Sequence, residues 1–366
     1  MFRRKFTKNL ALGTLGAPFV SNLQARDWIL EKYMDKSAGP KVPLGVDAHS
    51  VRGMKWKAKQ LIDYVIGLNV DSILLNELHY FESLDEAYLK SLKQLVDQHN
   101  MSLYFGIGGL SVNSPSYSDT YGTPRDLILQ GIRMAKIFGS PSVNCKIGSH
   151  QDRHTDGGIE ARMEEIISEL RAMRSEIQDA GIKFAVENHA GDMRSEEVLE
   201  VVETVGTDIC GVMLDPGNGV WTMEDPMLQI ERLGKYALCT SMRDYRIWES
   251  KNGATLSWTA IGEGAMDYVK YTERMSELCP GVPLQIETIS NLNLNIPYLT
   301  DEFWQGYPEL KAYHLQEFFA MLRSKESREV PIDLKLKESP ETEQEHQKQE
   351  LIKSIEYLRK NCALVG

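Results

Sequence analysis

The sequence predicts a (β/α)₈ TIM barrel, preceded by an N-terminal signal segment and followed by a charged C-terminal helical extension. Three observations carry this expectation. Eight short, β-branched apolar runs occur in order, at 42–48, 72–78, 102–109, 142–148, 182–189, 209–218, 237–245 and 282–290. Most are nearly continuously apolar, as strands covered on both faces of a parallel sheet must be. Helix-like stretches and polar turns separate them, and strict alternation of this kind closes into a barrel. An open doubly wound sheet is the alternative, but no GxGxxG or GxxxxGK[ST] string follows any run.

The clearest helical stretch is 161–180, where Met163, Ile166, Ile167, Leu170, Met173 and Ile177 recur at three- and four-residue steps. Gly139, Gly181 and Gly281 stand where a helix should end before the next strand. The barrel is expected over 42–325 and a linker over 26–41. A charged extension is expected over 326–366, with one amphipathic helix at 343–362 through Leu351, Ile352, Ile355 and Leu358.

The chain has 366 residues, 42% hydrophobic and 25% charged, enough for one large barrel with a full core. Its formal charge of −11 argues against nucleic acid as a partner, since such binding shows as a basic face. No apolar run is long enough to span a bilayer. Arg3, Arg4, Lys5 and Lys8, followed by a mildly apolar stretch from Leu10 to Val20, read as a signal peptide. The string Arg3-Arg4-Lys5-Phe6-Thr7-Lys8 resembles the twin-arginine motif, with cleavage after Ala25, so export to the periplasm is expected. The five cysteines form no CxxC pair. Cys145, Cys210 and Cys239 lie inside apolar runs and read as buried small hydrophobes rather than metal ligands.

Barrel chemistry sits at the C-terminal ends of the strands. There the sequence places Asp47 and His49, Glu77 and His79, and Lys146. Glu187-Asn188-His189, Asp215-Pro216-Gly217-Asn218, Ser241-Met242-Arg243-Asp244 and Glu287 follow. Glu187, Asp215 and Glu287 leave three different strands and would converge in one mouth. Close, partly buried carboxylates repel one another, and a divalent cation removes that repulsion. The all-oxygen donor set favours Mn²⁺ or Mg²⁺ over Zn²⁺. Lys146, His189 and Arg243 are candidate hydrogen-bond donors to a substrate, with His49, His79, Glu77 and Trp258 as weaker candidates.

The strings Phe184-Ala185-Val186-Glu187-Asn188-His189, Met213-Leu214-Asp215-Pro216-Gly217-Asn218, Gly262-Glu263-Gly264-Ala265-Met266-Asp267 and Leu284-Gln285-Ile286-Glu287 occur in that order. With them the sequence resembles the xylose-isomerase-like barrel superfamily, in its sugar phosphate isomerase/epimerase branch, over roughly 42–290. The resemblance implies that Glu187, Asp215 and Glu287 bind the metal. It also implies that Glu187 and Glu287 flank a sugar substrate as the acid–base pair of an isomerase or epimerase. A homo-oligomer is implied as well. One position departs: where the family has His-x-Lys-Asp, with the His a metal ligand, this chain has Ser241-Met242-Arg243-Asp244. Two other readings keep the same pocket. One is a lyase or dehydratase acting on keto-sugars or keto-glycosides; the other is a non-catalytic sugar-binding barrel. The superfamily's three-zinc DNA endonucleases need many histidines, and this acidic chain has eight in all.

Overall fold

Each of the eight apolar runs contains a strand. They are β1 (Leu44–Asp47), β2 (Ser72–Leu75), β3 (Ser102–Gly109), β4 (Ser142–Lys146), β5 (Lys183–Glu187), β6 (Cys210–Leu214), β7 (Ala237–Thr240) and β10 (Leu284–Ile286). The computed structural model describes residues 41–289, 291–324 and 331–365. The signal segment and linker expected over 1–40 lie outside the described residues, as does part of the extension. The eight strands form one parallel sheet in the order β10-β1-β2-β3-β4-β5-β6-β7. The ring closes just past β7, where Met242 N donates to Gln285 O at 2.8 Å and Glu287 N to Met242 O at 2.8 Å.

Alternation along the strands divides the core. Leu74, Tyr104, Ala185, Met213 and Cys239 form a small cluster of their own. Their neighbours Ile73, Leu75, Phe105, Phe184, Val186, Val212 and Leu214 belong to the larger cluster packed under the helices. This is the two-sided burial that the unbroken apolar runs imply. Cys145, Cys210 and Cys239 are buried free thiols, as read.

Gly139 and Gly181 end their helices in the left-handed conformation, with φ of 64° and 66°. The long helical stretch expected over 161–180 is two helices, Gly158–Ala172 and Arg174–Ala180, broken at Met173. The C-terminal helix spans Pro340–Asn361, and Ser339 caps it by accepting from Thr342 N. Its buried face carries Leu351, Ile355 and Leu358. Gln347 accepts from Gly53 N at 2.9 Å, and Ser354 Oγ accepts from Ile261 N at 3.0 Å. The chain beyond it pairs with the start of β1, as Val42 N donates to Ala363 O and Val365 N to Val42 O. No described helix is long and apolar enough to cross a membrane.

The run at 237–245 is not one strand. It ends at Thr240 and resumes at Asp244 as an antiparallel hairpin, β8 (Asp244–Ser250) and β9 (Gly253–Thr259). A third strand, β11 (Asn293–Ile296), pairs with β9. The hairpin turns through Lys251 and Asn252, between the paired Ser250 and Gly253. Asp244 anchors its return. The carboxylate accepts from the amides of Tyr245 (2.8 Å), Gly262 (2.9 Å), Gly264 (3.0 Å) and Met266 (3.0 Å). Asp267 then caps the helix Tyr268–Leu278 by accepting from Lys270 N at 3.1 Å. The Gly-Glu-Gly string is thus a loop wound around one buried carboxylate.

Truncating Asp244 to Ala strands these amides, at about 1–3 kcal/mol for each that finds no new partner. Urea unfolding should show Asp244→Ala destabilised by more than about 3 kcal/mol, against about 1 kcal/mol for the exposed cap variant Asp267→Ala. Equal losses would mean that Asp244 does not organise the loop.

Candidate functional site

The predicted polar residues gather at one end of the ring. β5 ends at Glu187, and Asp215 follows β6 as the cap of a short helix, Pro216–Trp221. Asp215 Oδ1 accepts from Asn218 N at 3.0 Å and Oδ2 from Asn218 Nδ2 at 2.8 Å. Asn188 ties the two strand ends together: its Nδ2 donates to Asp215 O at 2.7 Å and its Oδ1 accepts from Asp215 N at 3.2 Å. The two strand-end strings therefore interlock through backbone and side chain. Glu287 follows β10 and is held against the 241–243 segment by its backbone bond to Met242.

Arg243 lies between the acids. Its Nη2 donates to Asp215 Oδ2 at 2.5 Å and also to Glu287 Oε2. Ser241 Oγ donates to the same Glu287 oxygen at 2.7 Å and reaches Asp47 Oδ2 at 3.4 Å. The guanidinium sits 5.1 Å from the Trp258 ring centroid. A Cβ on residue 217 would stand 2.4 Å from Arg243 Cγ, so Gly217 makes room for the arginine stem. Arg243 Nε is buried without a partner among the described residues.

Glu187 is held differently. It accepts one hydrogen bond, from Asn76 Nδ2 at 3.3 Å. Lys146 beside it pairs with Glu77 Oε1 at 2.5 Å and lies 3.4 Å from His189 Nε2. His189 Nδ1 bonds Gly148 O, a carbonyl, so Nδ1 carries the proton and Nε2 faces the ammonium as acceptor. His189 N also donates to Asp192 at 2.8 Å.

All four mouth carboxyls are nearly inaccessible: Asp47 and Asp215 at 0%, Glu187 at 2% and Glu287 at 8%. Burial pushes Glu187 well above the usual carboxylate range; Lys146 opposes the shift, while Asp215 and Glu287 add to it. Burial likewise raises Asp47, with Glu287 adding, and raises Asp215 against the pull of Arg243. Glu287 goes the other way. Burial alone would raise it, but Arg243, His49 and Ser241 together hold it down at about 2. Burial and nearby Lys146 push His189 down to about 3, and burial pushes His49 down to about 4, so both rings are neutral near pH 7. Lys146 and Arg243 stay charged, because their acidic neighbours outweigh the effect of burial.

Among the residues singled out in the sequence, Asp215, Arg243 and Glu287 are joined directly, and Glu187, Lys146 and His189 adjoin them. Glu77 belongs to the site through Lys146, and Trp258 through Arg243. His79 is peripheral; its carbonyl accepts from Lys57 Nζ at 2.7 Å. Asp244 and His189 are engaged with backbone groups. Asn76, Gly217 and the role of Asp47 escape sequence reasoning, although Gly217 stands in the Asp-Pro-Gly-Asn string.

The expected divalent ion does not fit these residues as placed. Among the described residues no three His, Cys, Asp or Glu side chains are grouped to hold a metal. Asp215 and Glu287 turn their oxygens onto the guanidinium, and Ser241 sets a neutral hydroxyl, a poor metal ligand, against Glu287.

Several known proteins are similar to this chain. One is the 3-oxo-isoapionate decarboxylase of Pectobacterium atrosepticum, 23% identical over 189 residues. That match covers 51% of this chain and 61% of the decarboxylase, so it spans less than two thirds of that relative's length. Among solved structures, a xylose isomerase domain protein from Planctomyces limnophilus superposes with a TM-score of 0.52 at 14% identity, covering 79% of this chain and all of that one. A D-psicose 3-epimerase structure determined with D-fructose gives 0.52 at 14% identity, over 77% of this chain and 98% of the epimerase. The IOLI protein with a bound zinc atom gives 0.51 at 14%, over 77% and 95%. At these identities the structures show a shared fold. Residues 67–302, more than half of the chain, match the family described as xylose isomerase-like TIM barrel. With the eight-stranded parallel ring and its ordered strand-end motifs, the protein belongs to the xylose isomerase-like TIM barrel family.

Proposed function

We propose that the protein is a sugar isomerase or epimerase that moves a proton on the carbon next to a carbonyl of a sugar or sugar derivative. The observation that carries this reading is the unequal treatment of two buried glutamates in one mouth. Glu187 has a single long hydrogen bond and a raised pKa, which suits a group that takes and returns a proton near neutral pH. Glu287 is bonded by Arg243 and Ser241 and stays ionised. In this reading Glu187 abstracts the proton. Lys146 and Arg243 donate to substrate oxygens, and His189 fixes Lys146 from behind. Glu287 serves as the second acid–base group only when Arg243 lets it go. A one-face transfer by Glu187 therefore needs the least rearrangement.

The developing oxyanion needs a positive partner. Arg243 is the positive charge already seated there, between Asp215 and Glu287.

The similarity to a decarboxylase favours one alternative, a lyase working on the same site. Loss of CO₂ or of a β-leaving group from a keto-sugar also leaves an enolate. Arg243 and Lys146 would hold its oxygen, and protonated Glu187 would return a proton to carbon. The twin-arginine-like start, outside the described residues, supports an exported enzyme whose substrates are free sugars or glycosides.

Incubation of the purified chain with a panel of keto-sugars in D₂O should place deuterium on the carbon next to the carbonyl. Glu187→Gln should cut that exchange by about 10²–10⁴-fold. Ligand binding that persists in Glu187→Gln, with no exchange or product from any sugar, would instead make the barrel a binding protein.

As a base Glu187 acts in its ionised form, so kcat/KM should rise with pH through a pKa above the ordinary Glu value of about 4.3. Lys146 lowers the pKa of Glu187, so Lys146→Met should move that acidic limb to higher pH. A limb that stays in place or moves down in a pH–rate profile removes Glu187 from the base role.

A further inference from the structure

We infer that Arg243 has taken over the position and charge of a divalent metal in this barrel, and that the chain works with the guanidinium as its resident cation. The inference deepens the proposed reaction by naming the group that meets the oxyanion. It rests on that reading for its chemistry but not for its test.

The argument starts from charge. Four carboxyls, Asp47, Glu187, Asp215 and Glu287, are packed into a space almost closed to water. Any of them that stays ionised needs a positive partner, because a buried anion without a cation is costly. One nitrogen of Arg243 is bonded to carboxylate oxygens from two different strand ends, Asp215 after β6 and Glu287 after β10. This is the bridging task of a metal ion, done by a side chain from the end of β7.

The surroundings are shaped for a guanidinium. Gly217 leaves the space that Arg243 Cγ occupies, and any Cβ there would collide with it. Trp258 lies under the planar cation. Ser241 places a neutral hydroxyl, a poor metal ligand, against Glu287. A lysine could supply the charge but not the flat cation that lies against the Trp258 ring.

The site also keeps one donor in reserve. Arg243 Nε–H is buried and unpartnered, although Nη2 is fully used. A buried donor left unmade costs about 1–3 kcal/mol, and such groups cluster where a ligand completes the bonding. A carbonyl oxygen of the substrate satisfies it. When the neighbouring C–H bond breaks, the proton passes to Glu187 and the electron pair becomes the new C=C bond. The carbonyl oxygen gains the negative charge, beside a guanidinium that needs no reorganisation.

The test is Mn²⁺ titration of the purified full chain, followed by electron paramagnetic resonance, together with metal analysis after desalting. Wild type should carry no stoichiometric divalent ion and bind Mn²⁺ weakly. Arg243→Ala frees Asp215 and Glu287 and should bind one Mn²⁺ at least about tenfold more tightly. Arg243→Gln, which keeps volume and loses charge, carries the same expectation if the alanine variant does not fold. Arg243→Lys retains the cation and should resemble wild type. One tightly held ion in wild type, unchanged or lost in the neutral variants, overturns the inference. So does an absence of Mn²⁺ binding in all four proteins, since no metal position would then have been taken over. Neither readout requires a substrate. A failure of the keto-sugar reading would therefore show separately, as absent deuterium uptake.

Discussion

The bridge from Arg243 to Asp215 and Glu287 is the interaction on which the rest of the mouth depends. Without a cation the strand-end carboxyls could not share so small and dry a volume. With it, one of them is fixed as an anion while Glu187 is left poised. Arg243 and Ser241 converge on Glu287, and among the described residues Asn76 alone bonds Glu187. The low pKa of Glu287 follows from that placement, whereas burial raises Glu187 against the pull of Lys146 and Arg243.

That placement is made by an irregular piece of the barrel. Where β7 would run on into a loop and helix, the chain instead crosses to bond β10 at Met242, delivers Arg243, and leaves as the β8–β9 hairpin. Asp244 ties the far end of that excursion to the Gly262–Met266 loop, and Trp258 on β9 returns to lie beside Arg243. Fold and site are coupled here. The residues that close the ring are the neighbours of those that set its electrostatics. A fold of this kind hosts many chemistries, so the arrangement of these side chains, rather than the barrel itself, carries the functional reading.

The barrel was legible in the sequence because its strands are buried on both faces and read as continuous apolar runs; all eight contain a strand. The strand-end acids were legible for the same reason, each standing directly after such a run. The hairpin is not legible because 237–245 reads as one apolar stretch, while its turn, Lys251-Asn252, lies beyond that run. The single long helix expected over 161–180 is interrupted at Met173, a break that periodicity alone does not reveal. Arg243 was named as a substrate donor, but its position between two acids depends on the crossing after β7 and on the space left by Gly217. Both are tertiary facts with no local signature. The departure at Ser241 was visible as a missing imidazole; that its hydroxyl would turn to Glu287 was not.

A crystal structure of the protein grown in Mn²⁺ tests the central claim most directly. The account predicts electron density for the Arg243 guanidinium between Asp215 and Glu287, and no anomalous Mn²⁺ signal among the strand ends. An Mn²⁺ ion coordinated by Glu187, Asp215 and Glu287, with Arg243 turned away, would contradict it.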